Sequence, residues 1–524
     1  MGEYRVETRE GQEGGRVGVR LSALCLLLAA AIACTPTTPA TTDSSAGPVT
    51  LTIGLPVQTG VDPLHGASQA ARLLSLEGLT FLARDGRPHP KLAESLTEAP
   101  DGLTWTVQLR PSAFFHDGTP VNSATVKESL ERSLKGADRD RSPGLSDIIA
   151  IEAPSDRTLL IKLRERSRFL LDDLTVAIAK PGSTEPVGTG PFVNSESTNG
   201  DLVMTAVPSY YRGKPTIDRV VWKSYPAVRT AWAAMMRGEI DFLYQVPPEA
   251  VEFIESEDSV QLFSFLRNYA YLVIFNEKRK PFQSWQIRRA LNYAINRDTL
   301  IERALSNRGQ VVSGPVWPLH WAFDASVPNY SYDPSRATAL LDAAGVQSPQ
   351  DAGRSGAPGR IHFTCLVPEN FDLWERMALI VQRDLAAIGV DMRLESLPFE
   401  EFNHRIAVGD FDAVVMELVV GNTPSRPYTF WSSRSAQNFW GYQNGELDRA
   451  LSDLRRASDD LDYKNAFRRV QVESLGDPPA IFLALGQITR AVSRRFEVVA
   501  PPNTDILPSI PDWHLADRAM RKSN

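Results

Sequence analysis

Glu417 is a carboxylate set inside the apolar run Phe411 to Val420, with Arg405 before that run and Arg426 after it. A guanidinium clamps a carboxylate through two parallel hydrogen bonds, so the arginines could read an acidic or carboxylate-bearing ligand; solvated surface positions are the alternative. Glu417 could hold a cation, end a strand in solvent or pair with an arginine. Tyr244 and Gln245 follow Gly238-Glu239-Ile240-Asp241 and offer an apolar ring with one hydroxyl beside an amide that both donates and accepts; ordinary strand-end surface is the other possibility. Trp431 and Trp440 could cover a ligand or fill a core.

Catalytic constellations are missing. The histidines at 65, 89, 116, 320, 362, 404 and 514 never fall into His-x-x-x-His, His-Glu-x-x-His or a Cys/His cluster, so no zinc site is expected. There is no Gly-x-Ser-x-Gly elbow, and Arg212-Gly213-Lys214-Pro215 lacks the upstream glycine and the Ser/Thr of a phosphate loop. A triad dispersed over the abundant Ser and Asp keeps a secreted hydrolase open as the rival class. Cys365 lies in the alternating segment Ile361 to Val367 and reads as a buried core thiol rather than a nucleophile. No catalytic residue, cofactor or metal is expected, and a net charge of −7 argues against nucleic acid as a partner.

The elements that must position these groups are mixed α and β, in at least two lobes. Leu51 to Leu55 and Thr104 to Leu109 read as strands, with Pro111 and Asp117-Gly118 turning the chain after the second. Ile287, Ala290, Leu291, Ala294 and Ile295 form the apolar stripe of a helix with Arg288 and Arg289 beside it, expected as a solvated flank. Asp333 as N-cap, Pro334 in the first turn and Gly345 past the end delimit another helix. After a loop from Ser348 to Gly359, strand 361–367, a helix through Met377 to Ile388 stopped by Gly389, and strand 390–394 make a βαβ unit. Phe411 to Val420 reads as a central strand buried on both faces.

Leu21 to Ala33 is apolar, follows Arg16 and Arg20, ends in small residues before Cys34, and is too short to span a bilayer, which is signal-peptide architecture. Export is therefore expected. The four acids between Met1 and Gly15 are unlike a signal peptide's start, so translation is expected to begin nearer Val17. Thr35 to Pro48 is rich in Thr, Pro and Ser and reads as a solvated tether with a reach of about 45 Å, or as a disordered segment without a role.

Gly188-Thr189-Gly190-Pro191 allows φ > 0 and a close backbone approach, and marks a crossing between packed units. With Tyr210, Tyr211, Gly213, Lys214, Pro215 and Asp218 it resembles the interdomain crossing of the family 5 solute-binding proteins, the ligand receptors of peptide, nickel and opine ABC importers. Val61-Asp62-Pro63, Leu103 to Arg110 with Phe115 to Pro120, Gly238 to Asp241, Phe275-Asn276 with Arg288 to Ile295, Tyr332-Asp333-Pro334, and Asn444 to Asp448 match further segments in the family's order. Ala31-Ile32-Ala33-Cys34 resembles a bacterial lipobox, which would make Cys34 the lipidated mature N-terminus; cleavage without lipidation is the alternative.

The resemblance implies a periplasmic-binding-protein-like α/β fold of type II, class C, with two lobes, an extra domain and a cleft that closes on a hinge. Residues 1–34 would be the signal peptide and 35–50 the tether; domain I would comprise 51–83, 187–270 and 488–524, domain II 84–186 and domain III 271–487. It implies a monomer at the periplasmic or outer cell surface, serving ABC permease subunits in the membrane and doing no chemistry on its solute. A ligand sensor of the same fold without transport is the alternative. In peptide-binding relatives the positions of Tyr244, Gln245 and Tyr271 face the cleft, and Arg405 matches an arginine near the ligand carboxylate; Gln58 and Thr59, after the first strand, are further candidates. Those relatives carry, where Gly421 stands, an Asp that pairs with the peptide's α-ammonium. Its absence beside Asn422, Arg426 and Trp431 implies an N-blocked or non-peptidic ligand, or one held by Glu417 instead.

If Cys34 carries the lipid, Cys34→Ser releases the protein from the membrane fraction. Wild-type protein already soluble after cell disruption would remove the anchor and leave the secretion expectation standing.

Overall fold

The computed structural model describes residues 47–56, 63–136, 139, 142–198, 200–346 and 360–516. Cys34, the signal-like segment, almost all of the tether, Gln58, Thr59 and the loop 348–359 lie outside them, and residues from Pro48 onward form one unit. No helix among the described residues is long and apolar enough to cross a membrane.

An eleven-stranded sheet runs through the molecule. Its path is Val390–Leu397, Ile361–Pro368, Ala413–Val419, Val260–Phe275, Ala480–Ser493, Phe242–Val246, Thr50–Pro56, Arg219–Tyr225, Asp201–Ala206 and Phe192–Thr198, with Gly309–Val311 beside Ala480–Ser493. The strands after Ala480–Ser493 on this path shape a first lobe and those before Val260–Phe275 a second. A separate antiparallel sheet of Ala93–Glu98, Thr104–Leu109, Thr158–Leu163 and Ile148–Ser155 belongs to the first lobe's side.

Local signals place several elements as expected. Thr50–Pro56 and Thr104–Leu109 are strands, the second with strictly alternating burial. The Asp333 side chain caps Pro334–Ala343, and Gly345 takes φ +79° beyond it. Ile361–Pro368 and Val390–Leu397 pair in parallel across the helix Asp372–Ala386, a βαβ unit whose Cys365 is fully buried, its thiol pushed up by that burial. Ala413–Val419 is central, between Val260–Phe275 and Ile361–Pro368, but Met416 and Glu417 are only half-buried.

Two expectations change. Arg288 is no solvated flank: it is 2% exposed, pairs with Glu277 at 3.0 Å and with Asp477, and donates to the Phe282 and Pro478 carbonyls. Its helix lies where Phe275 and Phe282 stack, so the guanidinium must find its acceptors inside the protein. Gly188 and Gly190 do not adopt positive φ. They are needed for close approach alone, since a Cβ would lie 2.0 Å from the Ser75 carbonyl oxygen at 188 and 2.4 Å from that of Leu74 at 190.

Between these glycines, Thr189 donates to the buried carboxylate of Glu77 at 3.1 Å. The Tyr210 and Tyr211 hydroxyls donate to the same carboxylate at 2.8 and 3.2 Å, and the Lys91 ammonium lies 3.2 Å away. His116 ties the same crossing, its amide donating to the Gly188 carbonyl at 2.9 Å and its ring Nε2 meeting the Gly190 carbonyl at 3.0 Å. Burial lowers the His116 pKa, with the Gly190 carbonyl pulling the other way. The small sheet is thereby fastened to the large one.

Removing one member of such a cluster leaves buried polar groups without partners. Glu77→Ala should cost about 3–5 kcal/mol, and Tyr211→Phe about 1 kcal/mol, measured as shifts of the urea midpoint at unchanged slope. Equal, small losses for both would show that Glu77 is not the hub.

Candidate ligand-binding cleft

The lobes are joined by two neighbouring antiparallel strands. Val260↔Ser493 to Leu266↔Gln487 pair on the first-lobe side, and Ala270↔Leu485 to Ile274↔Ala480 on the second. The register shifts between Leu266 and Ala270, leaving Arg267, Asn268 and Tyr269 in the interruption. A bulge bends a strand and re-aims its side chains, so this is where the lobes can turn and where polar groups face the junction.

Those groups are already engaged with one another. Arg267 pairs with Glu417 and lies 4.2 Å over the Tyr269 ring. Tyr271, directly opposite Glu417 in the ladder, hydrogen-bonds to it; burial, then the Glu417 charge, pushes the phenol up. The Asn268 carbonyl accepts from the amides of Val420 and Gly421 at 3.0 and 3.2 Å, and its side chain donates to the Asn422 side chain at 3.2 Å. Of the possibilities for Glu417, a ligand cation, a strand end in solvent or an arginine, the contact present is the one with Arg267.

On the first-lobe side, Tyr244 is half-buried near Trp222, with the Arg490 guanidinium 4.1 Å over its ring. Arg490, 3% exposed, is held by both oxygens of Asp505 at 2.7 Å and donates to the Tyr244 carbonyl, so the aromatic ring is fixed from behind. Gln245 is exposed beside it.

Gly421 adopts φ +66°, and a Cβ there would sit 2.7 Å from Cγ of Arg426. The glycine is thus a backbone requirement. Asn422 donates to the Ala83 carbonyl at 3.3 Å, across the junction. Two expected residues lie apart from it. Arg405, near the end of the helix Phe399–Val408, pairs with Glu395 at 2.7 Å and donates to the Asp410 carbonyl at 3.0 Å, a clamp on its own helix end. Trp431 is 2% exposed, packed among Trp440, Tyr442 and Phe482, and offers no face to a solute. Two surface hollows of about 300 and 270 Å³, around Gln382 and Asn329, also lie away from the junction.

Arg267, Asn268, Arg490 and Asp505 escaped the sequence analysis. Arg267 and Asn268 are the one place where two polar residues adjoin in the strand Val260–Phe275, which is a bulge signal in hindsight. Arg490 and Asp505 offered none, since their pairing spans a turn that has no motif. Among the described residues no group of three or more His, Cys, Asp or Glu is placed to hold a metal.

Two lobes hinged on a pair of crossing strands, with polar groups gathered at the bend, define a binding-protein fold. The chain belongs to the bacterial extracellular solute-binding proteins, family 5, whose middle-region model matches residues 87–440. It is 27% identical over 478 residues to the glutathione-binding protein GsiB of Pectobacterium atrosepticum, covering 83% of this chain and 88% of that one. It is 26% identical over 423 residues to the oligopeptide-binding protein AppA of Bacillus subtilis, covering 75% and 77%. The structure of that AppA with a nonapeptide aligns at a TM-score of 0.74, 24% identity, over 90% of this chain and all of that one. NikZ of Campylobacter jejuni with Ni(L-His) aligns at 0.75, 21% identity, over 88% and 99%. Like its family, the chain is an extracytoplasmic solute-binding protein.

Because position 421 needs a left-handed backbone, Gly421→Asp should cost about 1–2 kcal/mol of stability and give no new affinity for dipeptides. Calorimetric titration with Ala-Ala checks this; a variant of unchanged melting temperature that binds Ala-Ala would overturn it.

Proposed function

We propose that this protein captures a peptide-like solute without a free α-ammonium between its lobes and delivers it to an ABC permease. The observation that carries the solute class is the state of the two carboxylate positions. Gly421 has no side chain, and Glu417 is neutralised by Arg267 and bonded to Tyr271. A buried ammonium placed here would have no free counter-charge, which is costly. The peptide and glutathione named in the descriptions of two relatives support a peptide-like frame, recognised here through neutral donors such as Tyr244 and Gln245.

The rest of the proposal follows the family. The domain partition at about residues 83, 186, 270 and 487, the lipid on Cys34, the monomeric state and the absence of catalysis are part of this reading. The two strand crossings between lobes support a partition near 270 and 487, where the register of Val260–Phe275 against Ala480–Ser493 is interrupted.

Thermal unfolding with matched probes tests the solute class. A ligand that binds only the folded state at a hundred times its Kd adds about 2.7 kcal/mol. N-acetyl-trialanine should raise the melting temperature where trialanine does not, and both should be recovered intact. Stabilisation by trialanine alone would refute the N-blocked assignment, and turnover at substrate excess would bring the hydrolase forward.

A further inference from the structure

The lobes also meet through residues that belong to neither crossing strand. Asp147, between the short helix Pro143–Ser146 and the strand Ile148–Ser155, is 1% exposed. Its carboxylate is gripped from the second lobe by Arg455, in the last turn of the helix Gly445–Arg456: Nε donates to one oxygen at 2.9 Å and Nη2 to the other. The third nitrogen, Nη1, donates to the Tyr428 hydroxyl at 3.0 Å, and the Arg455 carbonyl accepts the Arg168 amide at 2.8 Å. No other donor among the described residues reaches the Asp147 carboxylate.

Further contacts surround this pair. Arg456 pairs with Glu165 at 2.7 Å and Arg168 with Asp460 at 2.8 Å, but Arg456 and Asp460 are exposed, and such pairs shift an equilibrium about fivefold at most. Phe169, on the short helix Phe169–Asp173, is buried among residues of the second lobe and meets Tyr428 edge-on at 5.8 Å. About a turn before Tyr428, Thr423 donates to the Asp172 carboxylate and Ser425 to that of Asp173 at 3.2 Å. The helix Ser425–Trp431 is thus fastened to the first lobe at its start, while its Tyr428 braces Arg455 from behind.

We propose that Arg455 and Asp147 are positioning residues for solute capture: their pair clasps the two lobes together, in one register, before a solute is bound. This rests on the solute being held between the lobes. A planar fork on a carboxylate fixes angle as well as distance, so the lobes close in the orientation that lets both N–H groups meet both oxygens. An ammonium on a flexible stem would leave that angle open.

With the lobes apart, the face of Asp147 that Arg455 covers opens to water. With the lobes together, each charge is the other's compensation in a contact that excludes solvent from Asp147. Removing Arg455 leaves a bare carboxylate in that contact, which disfavours the closed form about a hundredfold or more. Removing Asp147 costs less, because Glu165 lies 3.5 Å from the same guanidinium and can take it over. Replacing both by apolar side chains removes the two charges together and leaves closure near its original equilibrium.

Small-angle scattering of the full chain, refolded from urea to remove any co-purified solute, reads the clasp directly. Wild type should be compact. Arg455→Met should lower the ratio of compact to expanded molecules about a hundredfold or more, Asp147→Leu should lower it less, and Asp147→Leu/Arg455→Met should return to within about tenfold of wild type. Arg456→Met, which breaks only the exposed pair, should change the ratio about fivefold at most. Melting curves confirm that each variant is folded; an ion pair that served stability alone would lower the melting temperature and leave the dimensions unchanged. Should Arg455→Met fail to fold, Arg455→Lys keeps the charge without the fork and should lower the ratio about tenfold, with no change counting against the clasp. Wild type as expanded as Arg455→Met, unchanged dimensions in Arg455→Met, or an equal expansion in Arg456→Met would each overturn it. Wild type that stays expanded until N-acetyl-trialanine is added would sink this inference and leave the solute-binding proposal standing; compact wild type that the acetylated peptide does not stabilise would do the reverse.

Discussion

The Glu77 carboxylate is the constraint on which the first lobe depends. A charge taken out of water must be matched inside the protein, and here Thr189, Tyr210, Tyr211 and Lys91 all converge on it. These donors come from the segment at Lys91, the chain's crossing between sheets and the segment after it, so satisfying one carboxylate brings four stretches of sequence to one point. Glycines at 188 and 190 let the crossing strand lie directly on the Leu74 and Ser75 carbonyls. The small sheet cannot then swing independently of the large one, and motion is left to the junction with the second lobe.

That junction concentrates its flexibility in a few residues. Two long strands run through it, and the interruption at Arg267, Asn268 and Tyr269 is where their pairing can change. The second lobe is anchored by buried guanidiniums rather than apolar side chains alone. Arg288 holds the carbonyls of Phe282 and Pro478 with Asp477 and Glu277, and Arg297 holds the Phe482 and Asn292 carbonyls. Burial with an incomplete counter-charge leaves Glu277 raised to about 8. Each arginine fixes a strand end against a helix, so the lobe moves as a body.

Much of the fold was legible because it is written in local chemistry. Asp333 before Pro334, Gly345 after the helix, alternation in 361–367 and the stop at Gly389 each act within a few residues, so their signal is complete in the sequence. The second-lobe site was less legible. Tyr271 and Glu417 were singled out separately, and only the antiparallel register of Val260–Phe275 with Ala413–Val419 makes them partners. Arg405 was expected near a ligand carboxylate, yet Glu395 ten residues earlier holds it. The tryptophan at 431, equally able to cap a ligand or fill a core, became core because its helix turns it toward Phe482.

The sequence by itself determined the family, the α/β class and the glycine-marked crossing, since each depends on residue identity at fixed spacing. Tertiary structure alone decided who pairs with whom: Glu77 with three hydroxyls, Arg267 with Glu417, Arg490 with Asp505, and Thr423 and Ser425 with Asp172 and Asp173. The reason is physical. A buried charge or hydroxyl is indifferent to sequence distance and takes whichever partner the packing of the core delivers within about 3 Å, and that choice is made by the whole chain at once.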